Sequence, residues 1–316
     1  MPITSEQIKQ LDNPYKKLNS FALLTEHQDE LDKLSPKEMN HLATKMLLAC
    51  PKEEMEQFTS AINEFKQSQS KYFPTLYSAL ETRMRITTLL DPEHPSPHSL
   101  LSGEDFDQDL FKEFDTLAIG LLRGNEVALA TRLALTTPAK DRSSLAFTLA
   151  STFPQSECAQ KVGAAFNLRR QIDNLLLKGQ PQKFFTSEEY NPDLCREFSP
   201  LFSSLLKGHE QKIGEQLSQL SRGELSKICR ELEQLSPSAH DKEHPFKLIA
   251  AAITVPQEEP QQKIEQSESG VRNRYHRFNS SPSVKSEATT ASTSNSKTNA
   301  DTEEEKDCNF CGLFNW

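Results

Sequence analysis

Apolar residues recur three and four positions apart along most of residues 1–255, in segments of helical length. Two clear stripes run through Leu110, Phe114, Leu117 and Leu121 and through Leu194, Phe198, Leu201 and Leu205. This spacing places the apolar side chains of a segment on one face of a helix. Leu far outnumbers Val and Ile, and Pro, Gly and Ser or Thr caps separate the segments. The pattern therefore predicts an all-α fold.

Two stretches of the chain resemble each other at a constant spacing of 84 residues. DLFKEF at 109–114 matches DLCREF at 193–198, and LLRGNE at 121–126 matches LLKGHE at 205–210. A partial third copy covers 34–51. The spacing predicts a tandem helical repeat array with two units of about 84 residues and a partial N-terminal unit. Chance similarity in a Leu-, Glu- and Lys-rich chain is the alternative, and the agreement of Gly and Phe in register argues against it.

Within each unit the sequence predicts one long helix, a loop and three shorter helices. The shorter helices are expected near 105–123, 125–136 and 138–153 in the first unit and near 191–207, 209–220 and 222–235 in the second. Ser35 and Ser221, each followed three residues later by Glu, match the capping box that begins a helix. Gly124 and Gly208 match the glycine that ends one.

The composition changes near Val255, after which polar residues dominate. Such a segment buries too little apolar surface to offset the entropy of ordering, so a disordered tail is expected. The predicted organisation is a partial N-terminal helical region at 1–73, repeat unit 1 at 74–154, repeat unit 2 with a closing helix at 155–255, and the tail at 256–316.

Charge and missing motifs limit the chemistry of the chain. Its 316 residues carry 36 Lys and Arg against 45 Asp and Glu, a formal net charge of -9, so a nucleic-acid partner is not expected. The sequence has no glycine-rich phosphate loop or dinucleotide fingerprint, and we expect no cofactor. His240 and His244 have the spacing of metal ligands on a helix, but Pro245 disrupts a shared face. His94 and His98 lie in a proline-rich segment, and no metal site is predicted.

Four of the six cysteines, Cys50, Cys158, Cys195 and Cys229, lie in apolar segments of helical periodicity. They are expected to be reduced thiols in the core. The alternative is that Cys158, Cys195 or Cys229 is the nucleophile of an enzyme with an unrecognised site, such as a cysteine-dependent modifier of host proteins. No residue carries a catalytic motif, and none is assigned as catalytic.

The chain ends with an acidic block followed by large apolar side chains. The block contains Glu303, Glu304 and Glu305, and the end contains Phe310, Leu313, Phe314 and Trp316. Over residues 301–316 this arrangement resembles the C-terminal signal of Dot/Icm type IV secretion effectors of intracellular bacteria. The resemblance implies virulence-related delivery into the host cytoplasm by a non-Sec route, and the start of the chain lacks a Sec signal. Without such delivery the protein is expected to be cytoplasmic.

Two modification sites are predicted in the tail. Cys308 and Cys311, flanked by apolar side chains, are candidates for dual palmitoylation, which would hold the protein on a host membrane. A docking peptide or a secretion signal that needs only exposed apolar side chains is the alternative. Ser280 follows Arg277 by three residues and precedes Pro282 by two, a pattern that basophilic kinases use. A solvated linker is the alternative there.

Together these features favour a non-enzymatic α-helical adaptor. A duplicated helical array presents an extended groove, and we expect a groove between its units to bind a host protein whose identity the sequence does not name. The leading hypothesis is a translocated bacterial effector, tethered to a membrane when its C-terminus is acylated. An enzyme with an unrecognised site is the alternative.

Overall fold

The computed structural model describes residues 3–103, 106–235 and 244–253. These residues belong to one contact unit, Met1–Glu259. Every regular element within the described ranges is helical, and no strand occurs among them. The predicted all-α fold is therefore confirmed. The predicted tail at 256–316 lies outside the described residues.

The α-helices follow one another with short connections along the described ranges. They are α1 (Ser5–Lys9), α2 (Tyr15–Leu18), α3 (Phe21–Glu26), α4 (Gln28–Leu31), α5 (Pro36–Ala49), α6 (Met55–Phe65), α7 (Tyr72–Leu90), α8 (Ser99–Ser102), α9 (Gln108–Glu113), α10 (Asp115–Leu122), α11 (Glu126–Thr136), α12 (Ala139–Thr152), α13 (Glu157–Lys178), α14 (Pro181–Thr186), α15 (Pro192–Glu197), α16 (Ser199–Leu206), α17 (Glu210–Leu217), α18 (Arg222–Leu235) and α19 (Pro245–Ala252). Two short 3-10 helices, Lys52–Glu54 and Lys66–Ser68, flank α6.

Local capping signals set several helix ends where the sequence predicts them. At the start of α5 the backbone N–H and the hydroxyl of Ser35 each donate to the glutamate three residues later, at 2.8 Å. The hydroxyl of Ser221 makes the same bond at 2.6 Å at the start of α18. Gly124 and Gly208, just after α10 and α16, have φ angles of 83° and 84°. Glycine adopts this left-handed conformation without strain, and both helices end there.

Two of the predicted helices are interrupted. The prediction of a single helix near 105–123 and another near 191–207 is wrong. The first range contains α9 and α10, and the second contains α15 and α16. The helical conformation is interrupted at Phe114 and at Phe198, whose backbone angles are not helical. Both side chains are buried and keep the apolar spacing across the break. Periodicity alone therefore does not reveal the interruption.

Two clusters of buried apolar side chains form the core. The first lies mainly among α1 to α7, and the second extends from α7 to α19. Helix α7 belongs to both, with Leu76 and Leu80 in the first cluster and Ile86 and Leu89 in the second. Helices α9 and α10 also contribute side chains to both clusters. Helix α7 is thus anchored along its whole length.

Helix starts and one set of tertiary contacts recur along the chain. Helices α9, α10 and α11 begin 84 residues before α15, α16 and α17. Arg83 of α7 donates to Cys50 O at the end of α5 at 3.1 Å, and Arg169 of α13 donates to Ala134 O in the last turn of α11 at 3.2 Å. These side chains supply donors to carbonyls that a helix end leaves unpaired. The division into repeat units, with its domain boundaries, stays a prediction.

Candidate functional site

The residues predicted to act in secretion, lipidation and phosphorylation all lie outside the described residues. They are Ser280, Glu303, Glu304, Glu305, Cys308, Phe310, Cys311, Leu313, Phe314 and Trp316. Their roles therefore stay predictions. Within the described ranges, no helix combines the length and the apolar character needed to cross a membrane.

The cysteines of the helical region lie in surroundings that disfavour the thiolate form. Cys50, Cys158 and Cys195 are buried, and Cys229 is half-buried. Burial raises the pKa of Cys158 and that of Cys195 to about 12, and burial together with Glu233 raises the pKa of Cys229. At neutral pH these thiols remain protonated, whereas a cysteine nucleophile acts as the thiolate. This environment does not favour a cysteine-dependent active site.

The described part of the predicted histidine pair, His244, packs into the core. Its Nε2 atom lies 2.7 Å from Ser199 Oγ, and its ring lies 5.3 Å from the ring of Phe246. The hydrogen bond joins the start of α16 to the start of α19, which is a structural role. His240 lies outside the described residues. Among the residues that are described, no group of three or more His, Cys, Asp or Glu side chains is placed to hold a metal ion.

An apolar ridge on the outer face of α7 is the candidate functional site. It consists of Phe73, Tyr77 and Met84, which we call the α7 ridge. At 100° per residue these positions fall within about 40° of one another around the helix, and they span about 16 Å along it. Tyr77 is 45% exposed and Met84 is 53% exposed. The ring of half-buried Phe73 lies 5.8 Å from that of Tyr77 and supports it from one turn below.

The surroundings of the α7 ridge distinguish it from scattered surface residues. Among the described helices, α7 is the only one with two strongly exposed large apolar side chains. An ion pair between Glu81 and Arg85, at 2.7 Å, lies along one flank of the ridge. An apolar strip with a charged border on a well-anchored helix is typical of a protein interaction surface.

The sequence did not single out this ridge. Tyr77 and Met84 are apolar residues in a Leu-rich helix, and nothing in their spacing separates them from residues of the core. Their exposure depends on which faces of α7 are covered by α5, α6, α9 and α10.

Comparisons with known proteins identify a relative. No family model and no curated protein matches the chain. A solved structure of RavA, a surface-entropy-reduction mutant, matches it with a TM-score of 0.71. The sequences are 36% identical, and the match covers 79% of this chain and 76% of that chain. RavA is a Legionella Dot/Icm effector, in agreement with the resemblance noted at the C-terminus. With this identity over this share of both chains, the protein belongs to the RavA family.

Proposed function

We propose that this protein is a translocated effector whose helical region binds a host protein through the α7 ridge. The observation that carries the proposal is the exposure of Tyr77 and Met84 on one face of a helix that both cores anchor. Membership of the RavA family supports the effector part of the proposal. The predicted groove between units is a second, untested surface.

The chemistry of the ridge indicates the kind of partner. An apolar strip about 16 Å long on one helix fits a groove lined with apolar side chains, as in helix-in-groove recognition. Tyrosine is enriched among the residues that dominate binding energy, because its ring is large and its side chain has few rotamers. Since α7 is already ordered, its backbone loses little entropy on binding.

The test uses full-length tagged protein purified from host cells. A variant with Tyr77→Ser and Met84→Ser should lose a partner that the wild type retains, with an affinity loss of at least about tenfold. The matched control is Phe147→Ser on α12, which removes a side chain that is 60% exposed from another surface. Recovery of the same host proteins with all three proteins would overturn the α7 ridge as the binding surface.

Export is proposed to depend on residues 301–316. Removal of this segment should abolish delivery in a translocation reporter assay, because the acidic block and the apolar end are both lost. Circular dichroism of the truncated protein should show an unchanged helical region, since terminal segments without a packed apolar stripe contribute little to a fold. Unimpaired delivery of the truncated protein would contradict the secretion signal.

Membrane attachment is proposed to depend on acylation of Cys308 and Cys311. Each buried methylene contributes roughly 0.8 kcal/mol, so one acyl chain gives reversible attachment and two give stable attachment. Cys308→Ser and Cys311→Ser should each reduce the membrane-bound fraction in host cells, and the double variant should be soluble. An identical distribution of all four proteins, with no hydroxylamine-sensitive acylation, would contradict the tether.

A further inference from the structure

A basic surface pocket lies in the corner between α13 and α14. It shares no residue with the α7 ridge. Its volume is about 190 Å³. Arg170 and Lys178 of α13 and Lys183 of α14 line it, together with amide side chains and Glu189. The corner depends on Gly179, whose φ of 60° ends α13 and turns the chain into α14. A side chain at Gly179 would be strained by this angle and would lie 3.0 Å from Gln216 Nε2.

Positive side chains outnumber negative ones in the pocket. In the part of the chain that the structure describes, neither Lys178 nor Lys183 has an ion-pair partner, and both are exposed. Three cationic side chains therefore face one carboxylate, in a protein whose formal net charge is -9. A concave site lined mainly by one sign of charge attracts ligands of the opposite sign.

The contacts of Glu189 indicate how the pocket would hold the carboxylate of a ligand. Glu189 Oε2 accepts hydrogen bonds from Arg170 Nη2 at 3.2 Å and from Gln171 Nε2 at 3.3 Å. Arg170 Nη2 also donates to Asn167 Oδ1 at 2.9 Å. Glu189 therefore shares the guanidinium donor with Asn167 and occupies the amide donor that an incoming acidic group would need. A ligand carboxylate or phosphate that replaced Glu189 would meet the same two donors and, in addition, the two unpaired lysines.

An exposed apolar side chain directly before the pocket residue Lys178 favours one kind of ligand. Leu177, on the same end of α13, is 84% exposed. A soluble inorganic anion would leave this side chain in water, whereas a peptide with acidic and apolar side chains would cover it.

We infer that this pocket binds a short acidic segment of a partner protein, with a carboxylate or phosphate between Arg170, Lys178 and Lys183 and an apolar side chain on Leu177. The site is independent of the α7 ridge and of the partner proposed for it.

The test measures fluorescence anisotropy of labelled peptides with the full-length protein. The probes are the peptide EEELEEE, the same peptide with serine in place of leucine, and a version with phosphoserine in place of the glutamate before leucine. We expect the leucine peptide to bind more tightly than the serine peptide and the phosphoserine peptide to bind at least as tightly as the leucine peptide. Binding of all three should weaken as salt rises.

Variants of the pocket should change affinity in opposite directions. The double variant Lys178→Gln and Lys183→Gln should weaken binding about five- to tenfold, because exposed ion pairs are individually weak. Its matched control, Lys66→Gln with Lys71→Gln, removes the same charge from an exposed site in the N-terminal half and should change affinity less than twofold.

Glu189→Gln should tighten binding about two- to fivefold, because it removes the competing carboxylate from Arg170. Glu188→Gln removes the same charge one residue away and should have a smaller effect. Equal effects of the two glutamate variants, equal effects of the two lysine pairs, or undetectable peptide binding at about 1 mM would each overturn the inference. Binding to vesicles of anionic lipid in place of the peptides would overturn it as well.

Discussion

Gly214 lies in α17 where α19 crosses it, and a methyl group at this position would collide with that helix. A Cβ atom would lie 2.4 Å from the Cβ of Ala252, 2.9 Å from its carbonyl carbon and 3.0 Å from Ile249 O. Two of these three atoms belong to the backbone, so rotation of a side chain cannot relieve the contact. The substitution Gly214→Ala should therefore displace α19 from α17.

The size of the effect follows from two opposing contributions. Carbon atoms in ordinary contact lie about 3.5–4.0 Å apart, so α19 must move by more than about 1 Å. Overpacking of this kind costs typically 1–3 kcal/mol, and α19 also holds the buried side chains of Phe246 and Ile249 in the core. Alanine regains about 0.5–1 kcal/mol of helix stability over glycine. The two ranges combine to a loss of up to about 2.5 kcal/mol in the free energy of unfolding, with a central value of about 1 kcal/mol.

The assay is urea denaturation of the full-length protein, followed by far-ultraviolet circular dichroism. The matched control is Gly163→Ala, also inside a helix, where a Cβ would meet no atom within 4 Å. This control should gain about 0.5–1 kcal/mol from helix propensity alone. If Gly214→Ala unfolds at the same or a higher urea concentration than the wild type while the control is stabilised, the packing of α19 on α17 is refuted.

Three further predictions concern buried and capping groups. Arg83→Met should lower the free energy of unfolding by about 1–3 kcal/mol, since the carbonyls of Leu47 and Cys50 at the end of α5 lose their donor. The measurement is the melting temperature, compared with that of the control Arg123→Met, which changes an exposed arginine. Cys158 and Cys195, whose pKa values burial raises to about 12, should react with iodoacetamide only after denaturation, as measured by peptide mass spectrometry. Hydrogen bonds at the start of α5 lower the pKa of Glu38 to about 2. The stability that ionised Glu38 adds to the folded state should be fully present above its ordinary pKa of 4.5 and should be lost as the pH falls towards 2. In a pH series, the melting temperatures of Glu38→Gln and the wild type should therefore converge at low pH.

The sequence predicted those features that depend on neighbouring residues. The helix starts at Ser35 and Ser221 and the stops at Gly124 and Gly208 need only contacts within three or four positions, so their residue types identified them. The all-α class followed from a periodicity that many segments share. Burial of the four cysteines in the helical region followed from their apolar surroundings, although Cys229 is only half-buried.

Features that depend on tertiary packing were not predicted. The breaks at Phe114 and Phe198 occur within continuous apolar stripes, because a buried aromatic side chain can keep its place in the core while the backbone leaves the helix. The exposure of Tyr77 and Met84 depends on which face of α7 its neighbours cover. The basic pocket combines residues of α13 with Lys183 and Glu189, which only the turn at α14 brings together.

Site-specific photo-cross-linking tests most directly whether the α7 ridge is the host-binding surface. A photoreactive amino acid replaces Tyr77, Met84 or, as the control on α12, Phe147, and the full-length protein is irradiated in host cells. One discrete host-protein adduct is expected from positions 77 and 84, and none from position 147. The absence of adducts from both ridge positions, or the same adducts from all three positions, would contradict it.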